Sequence, residues 1–219
     1  MSIYGGPDII TDGLIWHLDA ANRKSYPGSG STWYDLSGNN YHHTIYNSPA
    51  WDGKTLDFAT DEYGQHISGT FYYGDNYTII SFNDMKDVPS SWRTLIRGNS
   101  EHPLLISTAN KLGWYSNVGG GFRDCGYNVE TGGIENRFNM IALIGEGGAT
   151  NKFYVDGGNQ VGSSTTNTLG NNCSPYYQYR ICWPGQPWGK IGTLLGYNRA
   201  LSMSELDKNY EALKGRYGL

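Results

Sequence analysis

The chain has 219 residues, with 31 Gly, 18 Tyr and 7 Trp, a composition suited to many turns and aromatic-packed sheets rather than to helices. Its 16 Lys and Arg against 20 Asp and Glu give a formal net charge of −4 with no basic cluster, which argues against a nucleic-acid partner. No apolar run approaches the ~20 residues of a membrane span, so no membrane role is expected, and the length suits one all-β domain.

The N-terminus carries no basic segment followed by an apolar one, so no secretion signal is expected. Residues 1–12 hold Gly5-Gly6-Pro7 and no periodicity. They read either as a loose terminus or as an arm whose Tyr4, Ile9 and Ile10 dock on a neighbouring subunit, and the arm is preferred. Residues 13–219 are expected to form the domain proper. In Gly13–Asp19 (GLIWHLD), Leu14, Trp16 and Leu18 alternate with Ile15, His17 and Asp19, the period of a strand. His17 has no cysteine or carboxylate pair beside it and reads as a surface or hydrogen-bonded histidine.

Ala20–Asn40 is a long loop broken by Pro27, Gly28, Gly30 and Gly38. Within it Asp35-Leu36-Ser37-Gly38-Asn39 suits an Asx turn, the Asp35 carboxylate accepting from the backbone N–H of Ser37 and Gly38. A calcium site made by Asp19, Asp35 and loop carbonyls is the alternative. Two carboxylates fall short of the six to eight hard oxygens that Ca²⁺ takes, so the turn is preferred, and no other metal or cofactor is expected. His42-His43 would point to opposite faces of a strand, which denies them a shared metal.

Short strands follow at close spacing: Thr55–Phe58, Gln65–Ser68, Tyr77–Phe82, Thr94–Arg97, Leu104–Ser107, Leu112–Ser116 and Phe122–Tyr127, separated by Gly, Asn and Asp. Phe138–Ile144 then alternates Phe138, Met140, Ala142 and Ile144 with Asn139, Ile141 and Leu143, a strand apolar on both faces. Gly145–Asn151 is a Gly-rich loop, Lys152–Asp156 a second strand, and Asp156-Gly157-Gly158 a turn, together the central hairpin of a sandwich. No helical interlude interrupts the series. Antiparallel strands of this kind predict a two-sheet jelly-roll sandwich.

Cys125, Cys173 and Cys182 are odd in number and lack CxxC spacing, so they read as reduced packing residues, although Cys173 and Cys182 could meet across a loop. Gly162–Trp188 shows no periodicity. Its Tyr176, Tyr177, Trp183 and Trp188 suit either sugar stacking or coverage of a sheet edge, as flat rings with polar edges do. Tyr72 and Tyr73 join them as stacking candidates. Gly189–Tyr197 (GKIGTLLGY) is a strand, and Ser202 with Glu205 makes an S-x-x-E capping box. Leu206, Tyr210 and Leu213 give one apolar stripe, and Gly215 is the expected residue just past the helix end, so one short amphipathic helix closes the chain.

GLIWHLDA (Gly13–Ala20), DLSGN (Asp35–Asn39), KFYVDG (Lys152–Gly157) and GKIGTLLGYNRALSMSEL (Gly189–Leu206) resemble the laminin-G-like branch of the concanavalin A-like lectin/glucanase superfamily. The opening GGPDIITDGLIWHLDAANRKSYPGSGSTWYDLSGN and the closing NYEALKGRYG are similar to versions of this domain in virion proteins of tailed bacteriophages. The resemblance implies a virion structural protein made in the host cytoplasm. Its expected role is decoration of the capsid surface, with other virion proteins and glycan as partners and with self-association allowed. A lectin-like tail or fibre adhesin that binds host glycan is the alternative. Glucanases of the superfamily carry E-x-D-x-x-E on one strand, which sets two carboxyls on one face. No segment here has that pattern, nor a Ser/His/Asp or Cys/His arrangement, so no enzymatic activity is expected.

Overall fold

The structure, a computed structural model, describes residues 8–59, 61–66, 74–87, 90–98, 101–117, 121–148, 150–165 and 180–219. Strands run in the order β1 (Leu14–Asp19), β2 (Thr32–Trp33), β3 (His43–Tyr46), β4 (Ala50–Trp51), β5 (Leu56–Phe58), β6 (Tyr63–His66), β7 (Tyr77–Met85) and β8 (Arg93–Arg97). They continue as β9 (Glu101–Ile106), β10 (Lys111–Ser116), β11 (Gly121–Asn128), β12 (Phe138–Glu146), β13 (Thr150–Val155), β14 (Asn159–Thr165), β15 (Arg180–Ile181) and β16 (Gly189–Tyr197), before helix α1 (Met203–Tyr217). The first sheet has the order β14-β13-β12-β7-β16-β5-β4, with β1 also paired to β16. The second has the order β11-β10-β9-β8-β15-β6-β3-β2, and among the described residues the strand ladders of both are antiparallel. The protein is an antiparallel two-sheet sandwich with one C-terminal helix.

The two sheets enclose one apolar layer that includes Trp16, Leu18, Trp33, Phe58, Leu104, Ile106, Trp114, Ile141, Leu143, Phe153 and Leu194. A second layer covers the far side of the first sheet, where Ile80, Phe82, Met140, Ala142, Ile144, Leu195 and Tyr197 meet Leu201, Leu206, Leu213 and Tyr217 around the helix. This is why β7, β12 and β16 are apolar at successive positions rather than at alternate ones: both of their faces are buried. The expected hairpin forms between β12 and β13, with a tighter connection than Gly145–Asn151, because Gly145 and Glu146 already pair with Asn151 and Thr150.

Helix α1 begins as its sequence dictates. The Ser202 hydroxyl accepts from the Glu205 N–H, and the Glu205 carboxylate accepts from the Ser202 N–H at 2.8 Å. Its end differs from expectation. Gly215 lies inside the helix and Gly218 caps it, with φ 75° in the left-handed region that glycine adopts freely. Phe82, Phe138 and Tyr217 stack beneath it, Tyr217 centroid-to-centroid at 5.6 Å from Phe82 and 4.8 Å from Phe138. The Tyr217 hydroxyl meets Thr193 Oγ1 at 2.7 Å in a buried setting. A Cβ at Gly192 would come within 2.3 Å of the Tyr217 ring, so the strand needs glycine where the helix lies on it.

Ile9 and Ile10, expected in an arm reaching for another subunit, pack on this second layer of their own chain. The Ile10 N–H donates to Asn209 Oδ1 at 2.9 Å, and the Tyr197 hydroxyl donates to the Ile10 carbonyl at 3.0 Å. The reason is a buried polar group: Asn209 is buried on α1, and the Ile10 N–H satisfies its side-chain oxygen. Tyr4 lies outside the described residues.

Candidate functional site

The helix and the Ile9–Ile10 segment cover the outside of the first sheet. On the outside of the second sheet, among the described residues, no helix packs. Its residues there follow from register. Ile45, Gly64, Ile96 and Ile181 sit on the inner side of adjacent strands, so Tyr46, Tyr63, Arg97 and Arg180 face outward. Along β9 and β10, Leu104, Ile106, Leu112 and Trp114 point into the core, whereas His102, Leu105 and Tyr115 point out.

At the centre of this face is an open pocket of about 230 Å³ lined by Trp92, Arg97, His102, Leu105, Tyr115, Asn117 and Gln186. Trp92 stands edge-on to Tyr115 and to Phe122, with ring centroids at 5.7 and 5.5 Å. The His102 ring stacks on Tyr115 at 5.8 Å, and His102 Nε2 lies 3.3 Å from Asn117 Nδ2. Phe122 can lie flat there because the residue beside it is Gly113: a Cβ at that position would fall 2.8 Å from the Phe122 ring and 2.1 Å from the Arg123 carbonyl oxygen. Farther along the face Tyr46 and Tyr63 stack at 4.6 Å, and Tyr46 is 37% exposed.

Between these ring clusters runs Trp183-Pro184-Gly185-Gln186. Pro at the second position and Gly at the third are the signature of a type II turn, and Gly185 has φ 74°. The Gln186 N–H closes the turn on the Trp183 carbonyl at 2.9 Å. Asp61 Oδ1 accepts the Gly185 N–H at 3.0 Å, and Thr94 Oγ1 donates to Gln186 Oε1 at 2.5 Å, so the turn is fastened to β8 and to the segment that leads into β6. It sets the Trp183 ring under two guanidinium groups, Arg97 at 3.5 Å and Arg180 at 4.7 Å from the ring centroid. Burial, and then the Arg180 charge, pull the Arg97 pKa below its ordinary value.

No family profile matches the chain, and no curated protein does. Solved structures do. A Trypanosoma rangeli sialidase in complex with sialic acid aligns with a TM-score of 0.68 at 14% identity, over 94% of this chain and 34% of that one. The binding domain of botulinum neurotoxin serotype D aligns with a TM-score of 0.65 at 13% identity, over 92% of this chain and 52% of that one. The chain thus spans about a third of the length of the sialidase chains it matches. At these identities the likeness establishes fold. The chain shares the β-sandwich fold of these structures.

The same likeness corrects one expectation. The lack of E-x-D-x-x-E and of a Ser/His/Asp or Cys/His arrangement leads to the expectation of no enzymatic activity, yet sialidases are among the structures this chain resembles. A missing glucanase motif speaks only to glucanase chemistry, and the exclusion does not stand.

The residues expected to stack sugar divide. Trp183 is half-buried on the outward face, as a platform for Arg97 and Arg180. Trp188 is wholly buried in the inter-sheet layer, where its indole N–H donates to Asn83 Oδ1 at 2.9 Å. It cannot reach a ligand, and its role is packing. Tyr72, Tyr73, Tyr176 and Tyr177 lie outside the described residues. Trp92, Arg97, His102, Tyr115, Arg180 and Gln186 were not singled out from sequence, although the inward Leu112 and Trp114 already place Tyr115 outward.

Asp19 and Asp35 serve the chain's own donors. Asp35 accepts from the N–H of His17, Ser37 and Tyr41 at 2.8, 2.9 and 3.0 Å, which is the Asx turn with Tyr41 in place of Gly38. Asp19 accepts from the Ala21 N–H at 3.0 Å and pairs with Arg216 of α1. Among the described residues no three His, Cys, Asp or Glu side chains gather as metal ligands would. Cys125 and Cys182 are buried free thiols, and burial raises the Cys125 thiol to about 11 and pushes Cys182 up as well; Cys173 lies outside the described residues.

Proposed function

We propose that this chain is a carbohydrate-binding module and that the outward face of its second sheet is the binding surface. One observation carries this reading. Among the described residues, a helix covers one outer face of the sandwich and no helix packs on the other, and that face gathers Trp92, Tyr115 and His102 around a pocket edged by Asn117, Gln186 and Arg97. Flat rings that pack on sugar C–H faces, interspersed with amide and guanidinium donors for hydroxyls, are the chemistry a glycan requires. The fold likeness to a sialidase solved in complex with sialic acid supports the same class of ligand.

The setting is proposed on sequence resemblance alone: the opening Gly5–Asn39 and the closing Asn209–Gly218 are similar to segments of tailed-phage virion proteins, and a capsid-surface position would display the open face to solvent. Two experiments test the proposal. On a glycan array, Trp92→Ala and Tyr115→Ala are expected to abolish the binding seen with the unaltered protein while leaving its thermal transition in place; binding that survives both substitutions would refute the assignment of the face. Quantitative mass spectrometry of particles is expected to find this chain at a copy number comparable to the major capsid protein. A handful of copies would move it to the tail.

A further inference from the structure

The aromatic pocket explains part of the open face and leaves its charge unexplained. Arg97 of β8 and Arg180 of β15 are directly opposite one another in the ladder, and both point outward. Like charges in that relation destabilise a sheet. Across β15, the register partner of Arg180 is Gln65, so no counter-charge comes from that side. Among the described residues, no carboxylate lies within ion-pair distance of either guanidinium, whereas Arg23 at the rim, like Arg97, stacks on a tryptophan. Four other arginines have acids: Arg93 has Glu135, Arg137 has Asp156, Arg199 has Asp12 and Glu205, and Arg216 has Asp19. In a chain of net charge −4 with acids to spare, two facing arginines on a sheet face that no described helix covers are a cost that folding does not require.

We infer that Arg97 and Arg180 form an anion-recognising subsite on this face and that the glycan it takes carries a carboxylate. The inference rests on the glycan-binding reading above and names the ligand class. Its geometry is specific. The Trp183 ring, fixed by its type II turn, holds Arg97 at stacking distance and Arg180 beside it. Tyr63 bears on Arg180 from the other side, with its ring centroid 5.2 Å away. Guanidinium groups immobilised on aromatic faces keep their planar forks aimed outward, at little further loss of rotamer freedom on binding. A planar carboxylate can lie in the plane of such a fork and accept two parallel N–H bonds. A ligand anion also removes the repulsion between the two arginines, so its binding is favoured twice. Arg97 lines the aromatic pocket as well, which places the sugar ring that bears the carboxylate next to Trp92 and Tyr115.

The test is a glycan array that presents neutral, uronate-bearing, sialate-bearing and sulfated oligosaccharides, followed by titration of the best binder. The expected result is that bound glycans carry a carboxylate and that affinity falls at high salt. Arg97→Gln and Arg180→Gln are each expected to lower affinity about tenfold or more, the range for a hydrogen bond to a charged group, with the thermal transition retained or raised. If Arg97→Gln does not fold, Arg180→Gln decides, since Arg180 sits on a two-residue strand. Binding of neutral glycans alone, unaffected by Arg180→Gln and lost in Tyr115→Ala, would overturn this inference and leave the glycan-binding face standing. Binding of sulfated glycans alone would also overturn the carboxylate assignment. Binding of no glycan would overturn the inference together with the function it rests on.

Discussion

Replacing Trp188 with Phe separates a core tryptophan from a ligand-binding one. Trp188 and Asn83 are both fully buried, and the indole N–H donates to Asn83 Oδ1 at 2.9 Å. Phe has no donor, so Asn83 Oδ1 is left unsatisfied in the inter-sheet layer, at about 1–3 kcal/mol. The smaller ring leaves a void of roughly one water's share of liquid volume, about 30 Å³, worth about 0.7 kcal/mol at 24 cal/mol per Å³. Together these predict a loss of about 2–4 kcal/mol. For a domain of this size 1 kcal/mol moves Tm by about 2–4 °C, so the transition should fall by roughly 10 °C. Differential scanning calorimetry and urea unfolding measure the loss, and the m-value should stay constant. Glycan binding measured well below the new transition should match the unaltered protein. An unchanged Tm with lost binding would refute the core assignment and return Trp188 to the ligand surface.

Acid should loosen the helix in a defined window. Bidentate pairing with Arg199 and the Ser202 N–H hold the Glu205 carboxyl down to about 2 from 4.5, so its contribution is present above pH 4.5 and is lost as pH falls towards 2. Glu205→Gln should flatten helix loss followed by circular dichroism across that range, and a slope equal to that of the unaltered protein would contradict the assignment. Asn209→Ala should cost about 1–3 kcal/mol by orphaning the Ile10 N–H, and amide exchange at Ile10 should accelerate; unchanged exchange would mean that the segment is held elsewhere. Because burial raises the Cys125 and Cys182 thiols, iodoacetamide at pH 8 should label neither until the protein is unfolded, as read by peptide mass mapping.

The fold was legible where one strand carries its own period. β1, β7, β12 and β16 announce themselves, and the apolar residues on both faces of β12 already require a layer on each side of its sheet. Ser202 and Glu205 mark the helix start because a capping box is a local hydrogen-bond exchange. The strands that escaped are those whose identity is supplied from elsewhere. Arg180–Ile181 is a strand only because Arg97 and Ile96 on one side and Gln65 and Gly64 on the other pair with it. Thr32–Trp33 likewise depends on Thr44 and His43. Asn159–Thr165 is polar apart from Val161 and Gly162 and takes its shape from β13.

The site was less legible for a related reason. Trp183 and Trp188 sit five residues apart in one Pro-rich stretch, and nothing local distinguishes their surroundings. What buries Trp188 is Asn83, more than a hundred residues earlier, along with Phe58, whose carbonyl accepts the Trp188 N–H at 3.1 Å. What sets Trp183 on the outer face is the W-P-G-Q turn, held in place by Asp61 and by Thr94, both far away in sequence. Trp92 and Tyr115 belong to one face only once β8, β9 and β10 are in register.

The most direct test of the binding face uses the seven tryptophans as reporters. In a ¹H–¹⁵N spectrum, the indole N–H signals can be assigned by single substitution and followed as a bound oligosaccharide is titrated in. Trp92 and Trp183 are expected to shift, while the core indoles of Trp16, Trp33, Trp114 and Trp188 stay in place. A shift confined to Trp51, which packs against Arg23 and Tyr26 at the rim of the first sheet, would contradict this expectation and move the ligand off the open face.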